Sequence, residues 1–279
     1  MSYFRPLNQY ELKSIFDDEA LKVMNFLIKR AILSQPEKQN DSDSVTFRVP
    51  NEHMEQWVAQ AIGGARVGAG SYPIDLISSD GKFGADIAIV TAKSDKRTGN
   101  LTTGKSGEKS LGQKFSDDEW AENESLTLDQ LFAEEKILEI AQSSNNIFYK
   151  KFKKVILDYP SIENLYYFFI INHPEKEKFY LFGLSLNLDE KQPIGNPQHR
   201  YYKGKVSNVI LDNFLGDSFG TVTTYKSKKR IELRLATKFL VDNNYCLKFN
   251  VPGKNQIVKL RNYSDEELKE YIKSEAENF

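Results

Sequence analysis

With 279 residues, 40% hydrophobic and 12% aromatic, the chain can bury a sizeable core, either as one large domain or as a core with an appended piece. The formal net charge of −1 excludes a chain that is basic throughout, although neutral proteins that handle nucleic acid can gather lysines on one face. The lack of a long apolar run gives no membrane span, and three scattered histidines (His53, His173, His199) with one cysteine, Cys246, take zinc chemistry out of the leading readings.

The opening "MSYFRPLNQYELKSIF" shows no basic-then-apolar leader pattern. With a single cysteine, the expectation is a reducing cytoplasm. "DDEALKVMNFLIKRAIL" sets Leu21, Met24, Ile28 and Ala31 on one stripe, which predicts a helix. "SQPEKQNDSDS" is a polar loop, and "SVTFRVP" alternates Val45, Phe47 and Val49 as a strand does. "NEHMEQWVAQAIGG" reads as a second helix, opened by Asn51 and closed by Gly63-Gly64. Ser94 to Glu124 is charged and poor in large apolar residues, and predicts a mobile segment with a short helix at most.

"SLTLDQLFAEEKILEIAQ" and "NIFYKKFKKVILDYP" form a helical layer, after which "NLYYFFIINH" and "KFYLFGLSLNL" are strong strand candidates. Beyond Asp189 the pattern weakens. "QPIGNPQHRYYKGK" predicts an irregular basic-aromatic loop, "FGTVTTYKSKKRIELRLATKFLV" a further strand pair, and "SDEELKEYIKSEAENF" a solvated helix capped by Ser264. The order predicts an α/β fold with a mixed central sheet flanked by helices. Residues 1–190 would form the core, and 191–279 a C-terminal portion that need not be a separate domain.

One stretch carries chemistry. "GSYPIDLISSDGKFGADIAIVTAK", Gly70 to Lys93, reads as two strands joined at Asp80-Gly81. If those two residues are the centre of a two-residue turn, paired residue numbers total 161 and Asp75 faces Asp86. Opposed residues share a face with Cβ atoms about 5 Å apart. Two carboxylates that close repel, and a divalent cation is their natural companion. Gly84, Ala88 and Val90 share the acids' face, while Phe83, Ile87 and Ile89, with Ile74 and Leu76, make the core-facing one. The plain alternative is an edge hairpin with solvated acids.

A helix bearing Glu55, then "PID" and "DIA", resembles the PD-(D/E)xK nuclease superfamily, which includes type II restriction endonucleases. The resemblance spans about Ser44 to Asp189. It implies a restriction-endonuclease-like core that hydrolyses DNA with Mg2+ held by Asp75 and Asp86, with Glu55 as a further acid. It also implies target recognition in the C-terminal portion and a homodimer on double-stranded DNA. The family lysine should stand two residues after the second acid, and that position is Ala88. Lys82 or Lys93 could take its role, although Lys93 has the wrong parity. Otherwise the chain is naturally inactive or carries alanine in place of a lysine.

Two other signals compete or add. "GNLTTGKS", which contains Lys105, matches the phosphate-cradling loop of nucleotide hydrolases, but it neither follows a strand directly nor opens a helix. "QHRYYKGK" and "TYKSKKRIELR" interleave tyrosine with Gln198, Arg200, Lys203, Lys205, Lys226, Lys228, Lys229 and Arg230. Such segments can neutralise phosphates and reach base edges. "YKKFKK", from Tyr149 to Lys154, is a third basic cluster, and any one of them can equally be a solvated face.

Overall fold

The structure, a computed structural model, describes residues 2–33, 51–67, 72–95, 97–98, 100–102, 107–111, 126–173, 178–189, 191–212, 214–216, 218–250 and 263–277. The strand expected at 44–50 and Lys105 lie outside the described residues. The chain opens with β1 (Phe4–Pro6), α1 (Gln9–Ile15), α2 (Asp18–Leu33) and α3 (Asn51–Ala61). Then come β2 (Ala65–Arg66), β3 (Leu76–Ile77), β4 (Phe83–Thr91) and β5 (Glu108–Ser110), followed by α4 (Leu128–Ala133) and α5 (Ile137–Asp158). The second half holds β6 (Asn164–His173), β7 (Lys178–Leu186), β8 (Gln198–Tyr202), β9 (Lys205–Leu211), β10 (Gly220–Tyr225) and β11 (Arg230–Leu235). It closes with α6 (Thr237–Asp242), β12 (Cys246–Asn250) and α7 (Asp265–Glu277).

The fold is α/β with two sheets. The first runs β1-β7-β6-β4-β3-β2, with β12 sharing the β7 edge beside β1. β4 and β6 are parallel and the other pairs antiparallel, so the sheet is mixed. A parallel pair needs a crossover, and α4 and α5 lie in that connection. β6 is buried from Leu165 to His173 save for Tyr166, as the unbroken apolar run "YYFFII" requires of a strand covered on both faces. One face packs on α2 and α3 through Met24, Ile28, Met54, Val58, Ala85, Ile87 and Phe168. The other packs on α5 and the second sheet.

The second sheet is antiparallel, in the order β5-β11-β10-β9-β8. The segment expected to be an irregular loop is thus largely a hairpin. Tyr202 pairs with Lys205 across Lys203-Gly204, both at positive φ (51° and 74°), the backbone of a type I′ turn. Exposed side chains on all five residues of β8 erase the alternation by which a strand is read from sequence.

The division at residue 190 does not separate the packing. β5 leaves the first half to join the second sheet, and β12 returns to the first. One apolar cluster runs from Phe148 and Phe169 to Val222 and Leu233. Tyr3, Phe4 and Phe214 meet Phe148 with centroids 4.9–5.4 Å apart, fastening β1, α5 and the second half together. Burying each such ring contributes about 1.5–3 kcal/mol.

Candidate active site

The expected register is present: Leu76 pairs with Ala85 and Ile77 with Gly84, so the paired numbers total 161. The turn is longer than expected. Gly81 N–H donates to the Ser78 carbonyl at 2.9 Å and Ser78 N–H to the Phe83 carbonyl at 2.9 Å, so the loop holds 79–82 rather than Asp80-Gly81 alone. Gly81 sits at φ +71°, which glycine adopts freely. Asp80 is a turn residue, accepting from Ser78 Oγ at 2.7 Å and Lys82 N–H at 3.0 Å.

The ladder fixes Asp75. Its N–H donates to the Ala85 carbonyl and its carbonyl accepts from Val67 N–H, both at 2.8 Å. Its Oδ2 accepts from Ile87 N–H at 2.8 Å. The side chain therefore takes the donor that a longer β3 would have used, which aims it along β4 at Asp86. The face assignment needs one correction: Ile74 packs with the acids' face, against Gly84, and not with Leu76. Both faces of the hairpin are covered, so the solvated-edge reading does not describe it.

Both acids keep partial exposure, yet protein closely surrounds Asp86. Burial pushes the Asp86 carboxyl well above its usual range, helped by the Asp75 charge beside it. Burial also raises Asp75, while Ile87 N–H, Asp86 and Arg66 pull it back. Of the two, Asp86 is pushed further toward its protonated form, as expected of close carboxylates with no cation between them. Burial and Asp75 raise Glu55, which pairs with Arg66 at 3.2 Å. Among the described residues no three His, Cys, Asp or Glu side chains are grouped to hold one ion. Magnesium is commonly held by one or two carboxylates with waters and substrate phosphate completing its shell, and the Asp75–Asp86 pair fits that pattern.

Ala88 lies on the Asp86 side of β4, partly buried against the inter-sheet cluster. Neither lysine considered from the sequence is brought to the acids. Lys82 is exposed in the hairpin turn, 3.7 Å from Glu163. Lys93 is exposed beyond the far end of β4, about 23 Å along the strand from Asp86. A residue missed in the sequence comes closer. Lys109 on β5 is partly buried, which lowers its ammonium pKa while the Asp86 charge opposes that shift. Its signal was faint: in "EKSL", Lys109 shares parity with Leu111, which is fully buried.

The competing nucleotide loop has another shape where it is described. Ser94 bridges to Leu101, and Thr102 N–H donates to the Lys93 carbonyl at 3.1 Å. The start of "GNLTTGKS" folds back beside the strand instead of opening a helix.

The basic residues of the second sheet converge. Lys203, Lys205, Lys226, Lys228 and Lys229 line a cleft of about 970 Å³ with Tyr202 and Tyr225, and among its described lining residues Asp129 is the one acid. Lys228 lies 4.8 Å over the Tyr225 ring and 2.8 Å from Glu232. Gln198, Arg200 and Arg230 are exposed on the same sheet outside that lining. Compared with family models, curated proteins and solved structures, the chain matches none. Among the described residues no helix is long and apolar enough to cross a membrane.

Proposed function

We propose that this chain is a magnesium-dependent endodeoxyribonuclease, similar in its site to type II restriction endonucleases. The observation that carries the reading is the placement of Asp75 and Asp86 side by side on the β3–β4 hairpin, Asp75 anchored on Ile87 N–H beside Asp86, where burial and the neighbouring charge raise the Asp86 carboxyl well above its usual range. A divalent ion held by the two carboxylates offsets that charge. Asp75 and Asp86 would hold the ion, with Glu55 beside them. When bound, Mg2+ supplies a Lewis acid for the scissile phosphate and lowers the pKa of a water.

The chain's own groups set the geometry. Ile87 N–H holds the Asp75 carboxylate in place, and Arg66 holds Glu55 at the rim. In the hydrolysis the water oxygen bonds to phosphorus and one ester P–O bond breaks. The leaving oxygen takes up a proton, and the water gives one up to solvent. The lysine-lined cleft suits phosphates of double-stranded DNA, and a homodimer on two-fold symmetric targets, in a reducing cytoplasm, completes the reading.

Ala88 favours a second reading, a DNA-binding protein on the same architecture that does not cut. Mixed-sequence plasmid incubated with Mg2+ or EDTA separates the two. Discrete fragments formed only with Mg2+ and lost with Asp75→Ala are the expected result. Binding without cutting by the wild type favours the second reading.

A further inference from the structure

The even-numbered positions Gly84, Asp86, Ala88 and Val90 of β4 face the cluster shared with α5 and the second sheet. β5 enters the same interior from the opposite side. Lys109 pairs directly with Leu233, and an antiparallel pair points to one face. Leu233 is 1% exposed, and Leu111, two residues past Lys109, is 0% exposed, both within that cluster. The inward face of β5 therefore presents one apolar side chain and one ammonium.

The placement along β4 is also defined. A Cβ on Gly107 would lie 4.0 Å from the Thr91 carbonyl, and β4 and β5 are in contact. Lys109 stands two residues from that contact, about 7 Å along β5, on the inward face, and Asp86 is the charge that acts on it. Beside Asp86, Ala88 offers only a methyl group.

We propose that Lys109, carried in from the second sheet, is the catalytic cation of the Asp75–Asp86 site and does the work a lysine at position 88 would do. This rests on the nuclease reading. An ammonium has three donors and no acceptor, so Lys109 would orient the attacking water and offset charge growing on the scissile phosphate. Ala88 is then the consequence of a lysine supplied from elsewhere, and the chain need not be inactive.

Three variants test this with two readouts. Lys109→Ala should cut plasmid at least ~100-fold more slowly than wild type, and adding Ala88→Lys to it should restore about tenfold or more. Lys109→Gln, without DNA, should bind Mn2+ severalfold more tightly, because a repelling charge has gone. Lys109→Ala cutting within about threefold of wild type, or Mn2+ affinity unchanged in Lys109→Gln, would overturn the proposal. A wild type that binds Mn2+ but never cuts defeats the nuclease reading instead. The Mn2+ shift then still decides whether Lys109 stands at the acids.

Discussion

Asp86 concentrates the chemistry of the site in one carboxyl. Its pKa is raised by burial first and Asp75 second, and the sign of the consequence follows. A raised carboxyl stabilises the fold fully below its unfolded value, near 3.9, and loses that contribution as pH rises through the folded value. Without divalent cations, wild type should therefore lose stability as pH rises above the ordinary carboxyl range. Asp86→Asn should lose less and melt about 2–4 °C higher there. Thermal unfolding in EDTA measures both, and equal pH slopes would show that Asp86 is not the group that titrates. Saturating Mg2+ should reverse the order, since an ion bound only by the folded wild type stabilises it by about 2.7 kcal/mol at a hundred times its Kd.

Among the elements, those that stand on local pattern were legible. α2, α3, β6, β7 and the 161 register follow from spacing, caps and turn residues, and α7 from Ser264, whose Oγ accepts from Glu267 N–H at 3.3 Å. α1 was also within reach: Asn8 and Glu11 form a capping box, and "NQYE" carries its signature. β5 and β12 were not. Three residues of "EKS" become a strand only because β11 lies beside them, and such pairing leaves no local periodicity. The acids were legible by parity, while Lys109 reaches them through contacts between strands distant in sequence.

Gly84 is a test at this scale. A Cβ there would lie 2.7 Å from Ile74 Cδ1 and 3.1 Å from Leu165 Cδ2, so Gly84→Ala must displace the side chain preceding Asp75. It should cost about 1–3 kcal/mol in denaturant unfolding and slow cutting as well. An unchanged midpoint would show that the hairpin yields freely there.

In the whole molecule, net neutrality conceals a division of labour. The acids sit on the first sheet, the cleft lysines on the second, and β5 joins the two. Two of those lysines, Lys203 and Lys229, occupy positive φ (51° and 47°), a region costing about 1 kcal/mol for a residue with a Cβ. Asparagine or glycine would suit those turns better, and lysine there supplies charge to the cleft. Lys205→Ala, Lys226→Ala and Lys228→Ala combined should weaken duplex DNA binding in EDTA about tenfold or more and flatten its salt dependence by up to about three contacts. Fluorescence anisotropy across a salt series reads both. An unaltered slope would place the DNA elsewhere.

The most direct measurement for the site as a whole is the rate at which wild type and Asp86→Asn, each shown to be folded, nick mixed-sequence plasmid in Mg2+. If the acid pair is the catalytic centre, wild type cuts, EDTA stops it, and Asp86→Asn is slower by ~100-fold or more. Equal rates for the two proteins, or cutting by wild type that EDTA leaves untouched, would contradict it.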